Sequence, residues 1–287
     1  MDNFSRSWSL LKESWAVLKA NKTLAVFPLI SGVACLLVMA TFVGSFFAIP
    51  GLSDLLDRNR QHDPAQQALM YVLLFCYYVI NYFIIVFFNV ALVSCAIMHF
   101  HGDRPTLGEG FSAAMSRLPY IFGWAVLAAT VGMILKLIEE RSEWVGKFVT
   151  GLLGMAWTAV TYLVVPVLAV EKLGPIGALK RSTQLLRECW GEGLIGSFGF
   201  GLIGLLLNIP GILIIAGAVM LGMRGGQPNL PIIFGGIGLG VLYILTVAII
   251  LSTLKQIYLA GLYIYAAEQQ VPQDFSPELM QGAFQQK

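Results

Sequence analysis

Residues 68–100 read ALMYVLLFCYYVINYFIIVFFNVALVSCAIMHF, a run without a single Asp, Glu, Lys or Arg. A helix needs about 20 mostly apolar residues to cross roughly 30 Å of hydrocarbon, where each backbone N–H and C=O must find its partner within the helix. This stretch meets that demand with residues to spare, and a soluble core offers no comparable home. Five further stretches qualify, approximately Leu24 to Ile49, Leu118 to Leu137, Val145 to Val170, Leu194 to Met223 and Pro231 to Ala267. The expected fold class is therefore an all-α integral membrane protein with about six transmembrane helices. The second and sixth segments are longer than a bilayer requires and must tilt or project beyond it, the expectation being projection toward the cytoplasm.

Bulk composition agrees. Of 287 residues, 57% are hydrophobic and 12% charged, with a mean hydropathy of +0.76, whereas a soluble domain is about 25% charged. Six spans with short connections fill one transmembrane domain and leave no room for a separate catalytic one. A formal net charge of +2, without a run of like charge, does not suit nucleic acid. Cys35, Cys76, Cys95 and Cys189 have no CxxC spacing, so neither a disulfide framework nor a zinc site is expected. The polar-punctuated residues before the first apolar run do not resemble a signal peptide, and the first span is expected to be retained as an anchor.

Orientation follows from the cations flanking the spans. Arg6, Lys12, Lys19, Lys22, Arg104, Arg117, Lys172, Lys180, Arg181, Arg187 and Lys287 fall on one side; Arg58, Arg60, Arg141, Lys147 and Arg224 fall on the other. That bias places both termini in the cytoplasm of a bacterial or archaeal inner membrane, and an even number of spans is consistent with it.

The chain also repeats itself. Residues 6–15, RSWSLLKESW, align without a gap to residues 181–190, RSTQLLRECW, and a weaker copy covers 110–118, GFSAAMSRL. Each copy precedes a pair of spans. In the first, Phe4, Trp8, Leu11, Trp15 and Leu18 recur at steps of three and four, with Arg6, Lys12, Glu13 and Lys19 expected largely away from that stripe. This is the pattern of an interfacial amphipathic helix whose tryptophans suit the headgroup boundary and whose cations suit an anionic leaflet. The expected architecture is three units of in-plane helix plus transmembrane hairpin, at 1–103, 104–173 and 174–267, followed by a tail at 268–287.

Several constellations resemble chemistry. Gly199-Phe200-Gly201-Leu202-Ile203-Gly204 matches the dinucleotide fingerprint but has neither the preceding strand nor the later acid that motif needs. Inside an apolar run, Ser197 with Gly201 and Gly236 with Gly240 instead have the spacing of helix-packing faces, which can serve within one bundle or between copies in a homo-oligomer. His99, His101 and Asp103 could bind a metal only at a helix end, and His62 is assigned across the membrane, so an interfacial turn is expected and no metal or other cofactor. Lys136 is expected to pair with Glu140 within a solvated cluster of Glu139, Arg141 and Glu143. Lys255 beside Gln256 is ionisable and near the bilayer, which makes it a functional candidate, although its distance from Pro231 favours snorkelling at the interface. Asn81, Asn89 and Asn208 lie inside spans and are expected to hydrogen-bond between helices; a polar pathway with Lys255 is the alternative. Pro166 and Pro210 mark kinks or breaks. GxSxG, a Walker loop, HExxH and an acid-rich metal-binding stretch are all missing, so catalysis is not expected.

Thr130 to Lys136, Trp157, Val164-Val165-Pro166-Val167-Leu168, Glu171, Gly174-Pro175-Ile176, Ala178 to Ser182 and Trp190-Gly191-Glu192 together resemble an uncharacterised family of prokaryotic multi-pass membrane proteins, a domain of unknown function. Its most specific elements here are Pro-x(4)-Glu-x-x-Gly-Pro, Lys-Arg-Ser and Trp-Gly-Glu; the amino-terminal helix and Pro119 to Trp124 are similar too. More loosely, the proline, glutamate and Lys-Arg-Ser helix are similar to the membrane domain attached to some glycerophosphodiester phosphodiesterases. The resemblance implies no activity. Pro166, Glu171, Gly174, Pro175, Ser182, Trp190 and Glu192 are expected to be structural, while Arg6, Lys12, Lys180, Arg181 and Arg187 are candidates for binding membrane lipid headgroups or a partner. The expected function is a non-enzymatic membrane protein that engages lipid or a protein partner. The rival is a transporter or channel for a small or amphipathic substrate.

Overall fold

The computed structural model describes residues 3–48, 63–141, 145–188, 193–224, 228–272 and 274–276. Arg58, Arg60, His62, Glu143, Cys189, Trp190, Gly191, Glu192 and Lys287 lie outside the described residues, as do the side chains of Phe4, Arg6, Glu140, Arg141, Lys147 and Ser197. Every regular element among the described residues is a helix. Helix α1 is Asn3–Ala20, followed by a 3-10 turn at Lys22–Ala25, α2 at Val26–Ala48 and α3 at Pro64–Phe100. The short α4, Leu107–Ser116, precedes α5, Leu118–Arg141, α6, Val145–Val160, and α7, Val164–Val170; α8, Pro175–Glu188, precedes α9, Gly193–Met223, and α10, Leu230–Glu268. Six stretches are long and apolar enough to cross a membrane: Lys22–Ala48, Pro64–Phe100, Leu118–Glu139, Val149–Val170, Phe200–Met223 and Leu230–Glu268.

Contacts divide the chain into two compact units. One is Val26–Glu188; the other joins Met1–Ala25 to Cys189–Lys287. In the first, α3 packs against α2, α4, α5 and α7, and residues 90–96 are buried on every side. Helix α4 approaches α3 closely because Gly110 has no side chain: a Cβ there would stand 2.6 Å from both Cys95 Sγ and Phe27 Cζ. Phe111 then packs at 5.7 Å from Phe27 and 5.6 Å from Phe88. The start of α4 is closed by a capping box, in which Thr106 N and Oγ1 donate to Glu109 Oε2 at 2.7 and 2.9 Å and Glu109 N donates back to Thr106 Oγ1 at 3.3 Å. Two donors on one carboxylate favour its charged form and hold Glu109 below its ordinary pKa.

In the second unit, α9 and α10 form the largest helix pair, and α1 packs on both. Glycines set the α9–α10 approach. A Cβ on Gly236 would fall 2.0 Å from Ala218 Cβ, and one on Gly240 would fall 2.4 Å from Ile215 Cγ1 and 2.9 Å from Gly211 O. The 236/240 spacing is thus a packing face, whereas Gly201 has open space beside it; on α9 the close approaches fall at Gly204, Gly211 and Gly222 instead. Helix α9 runs through Pro210 without a break.

Helix α1 is turned about its axis relative to the stripe expected from the sequence. Leu10, Ser14, Val17 and Leu18 are buried, while Trp8 and Trp15 are 41% and 37% exposed. Ser14 rather than an indole meets the neighbouring helices, because a small serine admits a helix that an indole would hold off. The lysines also share the tryptophan face, since four residues separate Trp8 from Lys12 and Trp15 from Lys19; Lys19 Nζ stands 5.7 Å from the centre of the Trp15 ring. Glu13 Oε1 accepts from Ser276 N at 3.2 Å and Oγ at 2.6 Å, and Phe275 seats against Gly261.

Chain order and packing differ. Each short helix precedes two spans in the chain, yet α4 packs on α3 and touches Phe27 of α2, and α8 packs on α5, α6 and α7. Both rest on the spans that come before them, and α1 rests on the last pair.

Gly236→Leu should lower the thermal midpoint in detergent by the equivalent of about 1–3 kcal/mol of overpacking, whereas Gly235→Ala, with nothing within 4 Å of its Cβ position, should be neutral or stabilising. The Thr106–Glu109 box should stabilise the start of α4 above the ordinary carboxyl pKa of about 4.3 and lose that contribution as pH falls through the lowered folded value. Hydrogen exchange of the α4 amides across that acidic range, with Glu109→Gln as the pH-insensitive reference, measures it.

Candidate functional site

Among the described residues that carry the family resemblance, Pro166, Glu171, Gly174, Pro175 and Ser182 lie at the corner between α7 and α8, in the unit Val26–Glu188. A proline in a helix interior lacks an N–H and crowds the carbonyl four residues back. For Pro166 that carbonyl belongs to Tyr162, and the fourth apolar stretch, where Pro166 marks a kink or break, is interrupted at residues 161–163. The ladder is remade around the break. Tyr162 N donates to Ala159 O at 3.2 Å and Val164 N to Thr161 O at 3.1 Å. Leu163 N therefore has no helical acceptor left, and it donates to Ser182 Oγ at 3.1 Å. Both residues are wholly buried.

This bond sets how α8 sits. With Ser182 inward, Ala178, Leu185 and Leu186 are also buried, and the opposite stripe carries Ile176, Lys180, Gln184 and Arg187 to the exposed side. Pro175 occupies the first helical position, where its missing N–H costs nothing; its ring would lie 2.9 Å from a Cβ on Gly123, so α5 and α8 close tightly there. Gly174 has open space and no left-handed backbone, and its C=O accepts from Ala178 N at 2.8 Å. Neither clearance nor conformation requires glycine at that position.

Two arginines brace the corner. Arg117, just beyond α4, donates from Nη2 to Val170 O at 2.9 Å, a carbonyl left over at the end of α7. Arg181 Nε meets Glu171 Oε1 at 2.9 Å, with the side chains 29% and 23% exposed. Arg181, a candidate for headgroup binding, is thus engaged within the fold, while Lys180 and Arg187 are exposed. Arg117 was not among the candidate residues; its position inside the weaker repeat copy, one residue before the third span, was the available signal. Trp124 and Trp157 stack in parallel on α5 and α6, their centroids 5.9 Å apart.

The amides of the other candidate set turn inward on their own helices. Asn81 Nδ2 donates to Tyr77 O at 2.9 Å and Asn208 Nδ2 to Gly204 O at 2.7 Å, in place of the interhelical bonds expected of them. The cause is reach: the carbonyl one turn back is the acceptor closest to a short side chain in a helix. Asn89 is half-buried on α3, Lys255 is exposed on α10, and Lys12 is exposed on α1. Among the described residues, no three His, Cys, Asp or Glu side chains come close enough together to hold a metal ion.

Residues 68–272 match the family of unknown function DUF6159, and the chain belongs to that family. The match spans α3 to the end of α10 and includes the α7–α8 corner. No curated protein and no solved structure matches the chain, so the looser similarity to the membrane domain of glycerophosphodiester phosphodiesterases has no support.

Ser182→Ala should leave Leu163 N–H buried without an acceptor and cost about 1–3 kcal/mol. Thermal unfolding in detergent measures this, and Ser182→Thr, which keeps the hydroxyl, should recover part of the loss.

Proposed function

We propose that this member of the DUF6159 family is a non-enzymatic, multi-pass protein of a prokaryotic cytoplasmic membrane, with both termini in the cytoplasm, whose short helices engage anionic lipid headgroups. The observation that carries the reading is the division of labour on α8. Its apolar stripe and Ser182 are buried, Arg181 is held by Glu171, and Lys180 and Arg187 remain on the exposed stripe. Cations in such a position are attracted to a negatively charged leaflet, by about 1 kcal/mol each near the surface.

The recurring order of a short helix and two spans supports a repeated architecture in which each short helix lies near the interface. The ten-residue repeat supports it at two of its matched positions: Leu10 and Leu185 are buried, and Lys12 and Arg187 are exposed. Asn81 and Asn208 each spend a side-chain N–H on their own helix, which favours bundle packing over a permeation pathway.

Replacing Lys180 and Arg187 together with glutamine should reduce the phosphatidylglycerol that stays bound through detergent purification, as read by native mass spectrometry, without lowering the thermal midpoint. Undiminished retention would overturn the headgroup reading.

A further inference from the structure

The exposed tryptophan face of α1 borders an apolar groove. Trp8, Leu11, Lys12 and Trp15 form one wall; Leu207 of α9 and, on α10, Val247, Ile250, Leu251 and Leu254 form the other, around a volume of about 310 Å³. From Val247 to Leu254 the groove follows about 10 Å of helix, a length that seats part of an extended acyl chain. A second groove of about 620 Å³ adjoins it, sharing Trp15 and Ile250 and adding Lys19 and Lys22.

We propose that these grooves form a binding site for one anionic glycerophospholipid, with an acyl chain seated between α1 and α10 and the phosphate held by Lys12, Lys19 and Lys22. The inference rests on the lipid-engaging reading above and extends it to a defined site. Charge complementarity selects the occupant. Among the described residues, three lysines line the grooves and no acidic residue does, so a neutral lipid would leave the cations unmatched and a zwitterionic one, whose phosphate is offset by its own ammonium group, would match them less well than an anionic one. The face is organised for this chemistry: on α1, Trp8, Lys12, Trp15 and Lys19 follow one another at steps of four and three, alternating an indole with an ammonium group, and Lys22 follows in the 3-10 turn. The indoles supply flat apolar walls with a polar edge suited to the headgroup boundary, and Lys19 over Trp15 holds a cation at the rim. The position along α10 agrees as well. The groove lies beside Val247 to Leu254, and Lys255, the next residue, is exposed, so the apolar lining ends where the polar boundary begins.

The test uses the full chain in vesicles of phosphatidylcholine that contain, at equal mole fraction, either phosphatidylglycerol or phosphatidylcholine brominated on its acyl chains. Bromine quenches nearby tryptophan emission. The contribution of Trp8 and Trp15 is isolated by subtracting the signal of the Trp8→Phe/Trp15→Phe protein, since Trp124, Trp144, Trp157 and Trp190 are common to both. The brominated phosphatidylglycerol should occupy the site in preference to the phosphatidylcholine, by on the order of fivefold for each well-placed lysine. Lys12→Gln/Lys19→Gln/Lys22→Gln should abolish that preference, and Val247→Phe, which narrows the groove, should reduce quenching by either lipid. Equal quenching by the two lipids, no quenching by either, or a preference that survives the triple lysine variant would each overturn the proposal. The Lys180 and Arg187 variant supplies the separation from the broader reading. If it still loses bound phosphatidylglycerol while the groove shows no preference, the headgroup reading stands and this site falls; if neither responds, both fall.

Discussion

A backbone N–H that leaves its helix while buried has no water to turn to, and the hydrogen bond from Leu163 N to Ser182 Oγ answers that constraint at the point where the fourth apolar stretch is interrupted ahead of Pro166. Much of the unit Val26–Glu188 is arranged around it. With Ser182 pointing inward, α8 buries Ala178, Leu185 and Leu186 and turns Lys180 and Arg187 outward. The same placement brings Arg181 to Glu171 at the start of the connection between α7 and α8. Arg117 completes the corner by taking a carbonyl that α7 leaves open at its end. A broken span, a serine and two arginines thus make one device, in which satisfying the backbone also decides which cations are available to the surroundings.

The unit containing α1, α9 and α10 meets a different need by omission. Helices surrounded by lipid gain little from burying more apolar surface, so close van der Waals approach carries much of their association. Gly211, Gly222, Gly236 and Gly240 provide that approach between α9 and α10, and Ser14 occupies the equivalent buried position on α1. The bulky side chains of α1 are displaced to its outer face as a consequence, and this is why the tryptophans border a groove and do not fill a core.

The relation between short helices and spans carries a further lesson. Chain order suggests that each amphipathic helix introduces the hairpin after it. Packing joins each to spans elsewhere: α4 to α3, α8 to α5 through α7, and α1 to α9 and α10. A short connection limits distance but not direction, and Gly110 against Cys95 and Phe27 illustrates a shape match that sequence neighbours do not offer. The repeat was legible because ten positions align without a gap and six of them are identical. Its packing partners were not, since complementarity between surfaces leaves no periodic trace.

The amino-acid sequence by itself determined the helical class, the six apolar stretches and the location of the proline, glutamate and Lys-Arg-Ser motif, because hydrocarbon thickness and backbone hydrogen bonding act on composition and run length alone. It also marked Pro166 as a place of irregularity. Only the tertiary structure decided that the break falls at residues 161–163 and that Ser182 repairs it, that Arg181 is engaged while Lys180 and Arg187 are exposed, that Asn81 and Asn208 bond within their own helices, and that α1 turns Ser14 inward and Trp15 outward. The physical reason is common to these cases. Periodicity records how apolar a face is, whereas rotation about a helix axis and choice of hydrogen-bond partner depend on the size and position of groups brought close from distant parts of the chain.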